Sequence, residues 1–425
     1  MATKSLFEAY KNRLAVANTV HAKMHMGESM SNNKKLVTAK CLENVNRFMN
    51  EAFDASQGTQ RSDMGMFKKF AMNLTTVAVP NLIAHDLVIV HPMSSMSGYV
   101  TYIEYSYSTT KGETAAGTKF ADPFGMYHPE GFENYTSYKV VETIADGQTK
   151  LAWDVVTDAE GNDLVEKFVD GEWVAVEGKY TPVAGDKVRY TYNNIVVPQE
   201  KLPTIKAEMK SIPLVAKARR IAVYYSQIAA YQAKTDYGVD LGDQLAEKAV
   251  GELAYEIDTE ITNMLAENAV EDKDLVWSKT LPVGVSKSEH YEGFVEMLEI
   301  AKQKIYDATK KFAPNYVLAA SNILPVLALV KGWKPAATGQ INGPYMAGTI
   351  NGLKVFVTPN LAQGKFVVGC NGSDMMSSAA VYAPYMAIVP TQLLGFADGG
   401  MSQGWSTLYD LKMLNKNLLI AGKID

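Results

Sequence analysis

The stretch Asp240–Asn268, DLGDQLAEKAVGELAYEIDTEITNMLAEN, carries the longest regular pattern in the 425-residue chain. Apolar residues recur every four positions from Leu241 to Leu265, which is typical of an amphipathic helix whose apolar stripe turns slowly around its axis. At 1.5 Å per residue the stretch forms a rod of roughly 43 Å. The opposite face carries acidic residues, namely Glu247, Glu252, Glu256, Asp258 and Glu260. We therefore expect one long helix with a buried face and a solvated face.

Residues 137–197 consist of short alternating runs separated by turn signals, and this pattern predicts β-hairpins. In VDGEW, Val169–Trp173, the Asp-Gly pair favours a two-residue hairpin turn. The region therefore predicts a small all-β lobe, or an insertion carried on a long β-arm. Trp153 and Trp173 lie within it, and we expect both to be structural or assembly residues.

Helices and strands alternate in the remainder of the chain. The apolar spacing of Phe294–Phe312 predicts a second helix, and Tyr316–Ala320 and Leu353–Thr358 predict buried strands. Helix is also predicted to resume near Val215, whereas Leu82–Val90 reads as a strand. These elements indicate an α/β or α+β lobe, and together with the hairpins they predict an α+β chain.

The first 70 residues are predicted to be mostly helical, with two apolar stripes on either side of the polar stretch Gly27–Lys35. The first stripe runs from Leu6 to Ala17 and the second from Val37 to Phe48. Two helical pieces with a soft joint resemble an extended arm more than a compact domain. Because an apolar stripe must be covered, we expect a neighbouring body or subunit to cover it.

The net charge of −5 is distributed unevenly. Residues 1–70 hold 11 Lys and Arg against 6 Asp and Glu, which makes this segment +5 and the remainder −10. A mildly acidic body argues against a dedicated reader of nucleic acid, which normally carries a concentrated basic face. The basic segment either lies on the acidic body of a neighbour or is a solvated amphipathic segment, and both interpretations stay open.

Sequence patterns for chemistry are absent or broken. Cys41 and Cys370 cannot form a disulfide framework, and with six scattered histidines they argue against a structural zinc cluster and favour a reducing, cytoplasmic folding site. GETAAGTK at Gly112–Lys119 inverts the Lys-Thr order of a phosphate-binding loop. No window has the apolar length of a membrane span, and the N-terminus lacks the pattern of a signal peptide. We therefore predict no catalytic residue, cofactor or metal site, and no enzyme activity.

Three segments together resemble the major capsid proteins of T-even-like tailed phages. Asn81–Tyr107 resembles a family stretch in which an apolar strand and a proline turn lead to a strand begun by glycine. Lys217–Ile261 is similar to a basic run that leads into the family's long spine helix, and Ala379–Thr391, AAVYAPYMAIVPT, resembles a family strand with Tyr-Ala-Pro-Tyr. The resemblance marks five positions as structural rather than catalytic: Gly98, Tyr382, Ala383, Pro384 and Tyr385.

This resemblance implies the tailed-phage major capsid fold. Its parts are an N-terminal arm, an extension loop with the hairpin insertion, a peripheral domain around the spine helix, and an axial domain. The implied ranges are 1–72 for the arm, 100–197 for the extension loop, 73–99, 198–275 and 401–425 for the peripheral domain, and 276–400 for the axial domain.

The implied function is that of a major capsid protein in the virion. Copies would form hexameric capsomers of an icosahedral head shell, assembled in the host cytoplasm around double-stranded DNA without sequence-specific contact. Arms and long hairpins suit this role, because they become stable by lying on adjacent copies. Expected partners are further copies and vertex, portal, scaffold or decoration proteins, with no membrane. Because the family often cuts after glutamate, Glu8–Ala9 and Glu51–Ala52 are candidate processing sites.

Two other functions stay open from the sequence. A nanocompartment shell of the encapsulin type has a similar architecture and would package an enzyme instead of a genome. A hydrolase or lyase, with the hairpin lobe as a lid, would need a pocket with convergent polar groups.

Overall fold

The computed structural model combines helices and sheets, which confirms the predicted α+β class. It describes residues 2–24, 28–54, 61–110, 116–117, 139–192, 204–238, 240–309, 312–336, 343–372, 375–391 and 393–425. Within these ranges, no helix is both long enough and apolar enough to span a membrane.

The helices are α1 (Ala2–Ala9), α2 (Lys11–Met24), α3 (Asn32–Asp54), α4 (Arg61–Asn81), α5 (Ala84–Leu87), α6 (Gln227–Tyr237), α7 (Leu241–Asn268), α8 (Lys287–Thr309) and α9 (Leu324–Leu327). The strands are β1 (Ile89–Val90), β2 (Ser97–Tyr107), β3 (Lys139–Thr143), β4 (Val165–Val169), β5 (Glu172–Ala175), β6 (Lys187–Thr191), β7 (Ile205–Val215), β8 (Lys217–Ser226), β9 (Val270–Trp277), β10 (Tyr316–Ala320), β11 (Lys334–Pro335), β12 (Tyr345–Ile350), β13 (Leu353–Thr358), β14 (Lys365–Gly369), β15 (Ala380–Pro390), β16 (Leu394–Gly395), β17 (Gly400–Met413) and β18 (Leu419–Ile424).

The chain divides into two compact units, Met1–Val100 with Ile212–Asp425, and Thr101–Ser211. In the first unit a five-stranded sheet has the order β1-β15-β17-β16, and β8 also pairs with β17. The long helix α7 packs on this sheet, where Leu253 joins Ile388 and Trp405 in one apolar cluster. The predicted long helix is thus confirmed, with a buried stripe that fits its four-residue repeat.

A second sheet of the first unit contains seven strands in the order β11-β12-β13-β10-β14-β18-β9. Every residue of β10 is buried, as its uninterrupted apolar run predicts. Helix α8 covers the sheet, and the rings of Phe294 and Phe366 meet edge to face at 5.4 Å. The β12–β13 hairpin turns through Asn351 and Gly352, both of which have positive φ, as a tight two-residue hairpin requires.

The second unit contains a four-stranded sheet with the order β3-β6-β4-β5. Its small core includes Trp153, whose ring lies 4.7 Å from that of Tyr192. The predicted Asp-Gly turn joins β4 to β5, with φ of 48° at Asp170 and 93° at Gly171. The hairpin prediction for this region is therefore confirmed in its described part.

Two predicted elements are wrong in type. The segment Leu82–Val90 contains α5 and only a two-residue strand, and the preceding α4 remains helical to Asn81. The segment after Val215 is the strand β8 instead of a helix, because it pairs along its length with β17. Both errors arise where long-range packing overrides local preference.

The predicted cover of the N-terminal stripes also needs correction. Val37 and Cys41 are fully buried in the core of the first unit, and Val45 packs with Val381 and Met386 of β15. The second stripe is therefore covered by the chain's own sheet, not by a neighbouring subunit. The apolar stripe indicates that these helices must pack against another surface, but it does not indicate whether that surface belongs to the same chain.

The predicted domain boundaries follow the sheets only in part. Strand β15 lies within the range 276–400 assigned to the axial domain, yet it pairs with β1 and β17 in the five-stranded sheet. Strand β18 lies within 401–425, yet it pairs with β14 and β9 in the seven-stranded sheet. The C-terminal half of the chain therefore contributes strands to both sheets, and the assignment of the ranges to domains stays a prediction.

Candidate functional site

Four of the predicted structural residues, Tyr382 to Tyr385, lie together on β15, whose residues are all buried. The ring of Tyr382 lies 5.4 Å from that of Tyr409 on the neighbouring strand. Burial raises the pKa of Tyr382 well above its usual value, so its hydroxyl stays protonated. The surroundings of Tyr382 are those of a core residue, with no geometry for catalysis.

Pro384 and Tyr385 occupy an irregular point of the same strand, where the register with β17 shifts between Pro384 and Met386. A proline suits such a bulge because it has no backbone N–H to give to the ladder. The Pro384 carbonyl accepts a hydrogen bond from the Met93 N–H at 2.9 Å. The carbonyl of Tyr385 accepts one from the Asn44 side chain of α3 at 2.6 Å. This bulge therefore holds the N-terminal helices to the sheet.

Gly98 and the two tryptophans lie elsewhere. A Cβ added at Gly98 would make only an ordinary contact with Met93 at 3.6 Å, so steric space does not require glycine there. Trp153 is a core residue of the second unit, whereas Trp173 stacks under the Arg189 guanidinium at 4.7 Å and beside Phe168 on its partly exposed face. The predicted assembly residues are therefore divided between the two units, with Gly98 and the β15 residues in the first and the two tryptophans in the second.

The candidate processing residues lie in helices. Glu8 and Ala9 are exposed and form the last two positions of α1. Glu51 and Ala52 lie in the last turn of α3. Cleavage at either bond requires the helix end to open, since a protease binds its substrate as an extended chain.

A polar network that the sequence analysis did not identify fastens β8 to α7. The Arg219 guanidinium donates to both carboxylate oxygens of Glu260, at 2.7 and 2.9 Å, and the Tyr409 hydroxyl donates to the same carboxylate at 2.5 Å. Partial burial raises the pKa of Glu260, but Arg219 and Tyr409 outweigh it and the net shift is downward. This half-exposed cluster has a structural role, since it joins β8 and β17 to α7. Its three residues lie too far apart in the sequence to form a recognisable motif.

Asp258 lies on α7 among acidic residues predicted to face solvent, but the structure buries it. Its carboxylate Oδ1 accepts a hydrogen bond from the Ile83 N–H at 3.2 Å, just before α5. Burial raises the pKa of Asp258 to about 8, despite the hydrogen bonds from the Ile83 and Ala84 backbone that lower it. No sequence pattern indicates this burial, because Ile83, which donates to Asp258, lies 175 positions away.

The raised pKa of Asp258 predicts that the stability of the folded chain falls as pH rises from about 4 to about 8. The folded chain holds the proton up to about pH 8, whereas the unfolded chain releases it near pH 4. The contribution of Asp258 is thus complete below about pH 4 and is lost as pH rises towards 8. We expect Asp258→Asn, which keeps an acceptor without a charge, to flatten this decline. Urea unfolding of both proteins at pH 5, 7 and 9 measures it, and parallel curves would contradict the assignment.

The second unit contains a cleft of about 640 Å³ along its four-stranded sheet. Its charged lining includes Arg189 and Glu166, which form an ion pair with each other, and Asp163, which accepts from the Tyr180 N–H at 2.9 Å. Among the described residues, no cluster of three or more His, Cys, Asp or Glu has the geometry to hold a metal ion. These three charged groups of the lining, Arg189, Glu166 and Asp163, are therefore already engaged within the unit.

Comparison with known proteins gives a consistent picture. A family model described as Major capsid protein Gp23 matches residues 64–414. The chain is 23% identical over 377 residues to a major capsid protein of Escherichia phage AR1, covering 75% of this chain and 70% of the relative. It is 24% identical over 370 residues to that of Enterobacteria phage T4, covering 75% and 70%.

The similarity to solved structures is weaker. The capsid of Myoviridae phage XM1 aligns over 81% of this chain and 92% of its own, with 7% identity and a TM-score of 0.41. A structural similarity at this level does not determine the fold. The family is therefore assigned from the sequence match over residues 64–414.

Proposed function

The chain belongs to the Gp23 family of major capsid proteins, and from this we propose that its copies assemble into hexameric capsomers of an icosahedral head shell around double-stranded DNA. The observation that carries the proposal is the family match, which extends over residues 64–414. It favours a phage capsid over the nanocompartment and the lid-covered enzyme that the sequence left open. The protein acts by assembly and not by catalysis.

The described residues support a role in assembly. Large apolar side chains remain exposed in both units, including Val283 and Tyr231 in the first and Val174 in the second. Strands β2 and β7 form a two-stranded sheet, which is marginally stable by itself in water. Neighbouring copies would cover such surfaces, and many repeated weak contacts give a closed shell a large total stability.

We place the domains of the capsid fold as follows. The five-stranded sheet with α7 forms the peripheral domain, and the seven-stranded sheet with α8 forms the axial domain that meets its copies at the capsomer centre. The hairpin unit belongs to the extension loop. The N-terminal helices form the arm, folded on the chain's own sheet in this state. Vertex, portal, scaffold or decoration proteins are the further partners, and the overall negative charge fits a shell that encloses DNA without reading its sequence.

Processing is part of the proposal. Cleavage at Glu51–Ala52 would remove α1, α2 and most of α3, and would expose the face of β15 against which Val45 packs. Cleavage at Glu8–Ala9 would remove α1 except for its last residue, Ala9. The intact mass of the chain in purified particles distinguishes the two, and a full-length mass would exclude both.

Negative-stain microscopy of the chain, produced with its assembly partners, tests the function. We expect large particles of uniform diameter. Persistent monomers that bind a small molecule tightly would contradict the proposal.

A further inference from the structure

Helix α6 has no buried residue, although it is well formed at both ends. The Ser226 hydroxyl accepts a hydrogen bond from the Ala229 N–H, and Gly238 ends the helix in the left-handed conformation. An isolated helix of 11 residues is marginal in water, because tertiary packing supplies most helical stability in proteins. A capped helix with no fully buried residue is therefore expected to pack against a further surface.

An apolar surface begins on this helix and continues onto the adjacent sheet. We name it the α6–β16 surface, and its members are Tyr224, Ile228, Tyr231, Leu394 and Phe396, each exposed by 50–73%. A backbone hydrogen bond joins α6 to the turn after β16. The Gln227 N–H at the start of α6 donates to the Gly399 carbonyl at 2.9 Å, in the turn that follows Phe396.

The sheet residues of this surface are in register. Leu394 pairs with Ser402, and Ser402 pairs with Tyr224, so the side chains of Leu394 and Tyr224 lie on the same face. The rings of Tyr224 and Phe396 are 6.2 Å apart. The opposite face of β8 packs on α7 through Ile221 and Val223. The exposed face therefore belongs to a firmly held strand.

The area of the surface is large for a monomer. At roughly 150–250 Å² per aromatic side chain, the exposed parts of its three aromatics amount to about 350 Å². With Ile228 and Leu394 the apolar area approaches roughly 600 Å², the upper end for the largest patch on a typical monomer. A polar rim brings it near the roughly 800 Å² that each partner contributes to a standard interface.

Both signs of charge surround the apolar residues. Arg220 is exposed on β8, Lys234 and Asp236 are exposed on α6, and Asp398 is exposed in the turn after Phe396. A rim that carries both signs can pair with a second copy of itself. The Tyr231 hydroxyl can do the same, since a tyrosine hydroxyl both donates and accepts a hydrogen bond, whereas the Tyr224 hydroxyl already donates to Asp398 at 2.9 Å. Tyrosine is also among the residues that most often supply binding energy in interfaces.

We propose that the α6–β16 surface binds the same surface of a second copy of this chain. This inference rests on the proposed shell function, because a closed shell contains symmetry axes at which identical surfaces of neighbouring copies meet. Contact at such an axis covers Ile228 and Tyr231 of each copy at once. It adds to the limited packing of α6 within its own chain, where no residue of the helix is fully buried.

Disulfide cross-linking tests this pairing directly. Tyr231→Cys places a thiol on the surface, and Tyr237→Cys places one on the opposite side of α6, half a turn away from Ile228. The native Cys41 and Cys370 are buried and give little background. In oxidised particles we expect covalent dimers of the chain from Tyr231→Cys and at least tenfold fewer from Tyr237→Cys. Equal yields from the two variants would overturn the pairing.

Assembly yield gives a second measurement. We expect Tyr231→Ser to lower the fraction of chains in particles at least tenfold, and Tyr237→Ser to leave it within twofold of the unsubstituted chain. If Tyr231→Ser assembles normally, the inference fails while the shell function stands. Loss of assembly without any cross-link from Tyr231→Cys would mean that another segment covers the surface, which also overturns self-pairing. If the unsubstituted chain forms no particles, the proposed function itself fails.

Discussion

Trp405→Ala is expected to lower the free energy of unfolding by about 3–5 kcal/mol. Trp405 is almost fully buried, in the cluster where α7 packs on the five-stranded sheet. Trp405 lies on β17, where it pairs with Ile221 of β8 on one side and with Pro390 of β15 on the other. Removing the indole leaves a cavity between the helix and three strands. A loss of this size is a large part of the about 5–15 kcal/mol that stabilises a typical domain.

Urea unfolding followed by circular dichroism measures this loss. Trp173→Ala is the matched control, because it removes the same side chain from the partly exposed face of the hairpin unit. We expect the control to shift the unfolding midpoint of the helical signal by much less than Trp405→Ala. If the two variants unfolded at the same urea concentration, the helix α7 would not depend on Trp405 for its packing.

Asn44→Ala is expected to release the N-terminal helices from the sheet. The buried Asn44 amide donates to two backbone carbonyls, of Met93 at 2.8 Å and of Tyr385 at 2.6 Å. Without the Asn44 amide, both carbonyl groups lose a hydrogen-bond donor in a place that water does not reach. Each unsatisfied carbonyl lowers the free energy of unfolding by about 1–3 kcal/mol. Because these bonds join α3 to the bulge of β15, we expect amide hydrogen exchange in α3 to accelerate at least tenfold.

Hydrogen exchange resolved by mass spectrometry separates this effect from general destabilisation. Exchange in β10, which lies in the other sheet, should remain unchanged. Asn50→Ala is the control on the same helix, since Asn50 is exposed. Equal protection of α3 in Asn44→Ala and in the unsubstituted chain would contradict its attachment through this side chain.

The sequence predicted the elements whose pattern is local and long. Helix α7 follows from its apolar stripe, β10 from an uninterrupted apolar run, and the turn at Asp170 from the Asp-Gly pair. In each case the residues that decide the structure lie within a few positions of one another. The three capsid-like segments similarly pointed to the family, and the match over residues 64–414 confirms it.

The features that the sequence missed depend on distant partners. Strand β8 reads as the start of a helix, but β17 pairs with it from about 180 residues away. Asp258 reads as a solvated carboxylate until the Ile83 N–H reaches it. The N-terminal stripe needs a cover, but only the packing of Val45 on β15 shows that the chain itself supplies one.

Cryo-electron microscopy of particles assembled from this chain tests the central claim most directly. We predict a closed shell whose lattice contains rings of six copies, each with the roughly 40 Å rod of α7 resolved. Particles in which this chain is absent from the wall, or preparations that contain only single copies under every assembly condition, would contradict it.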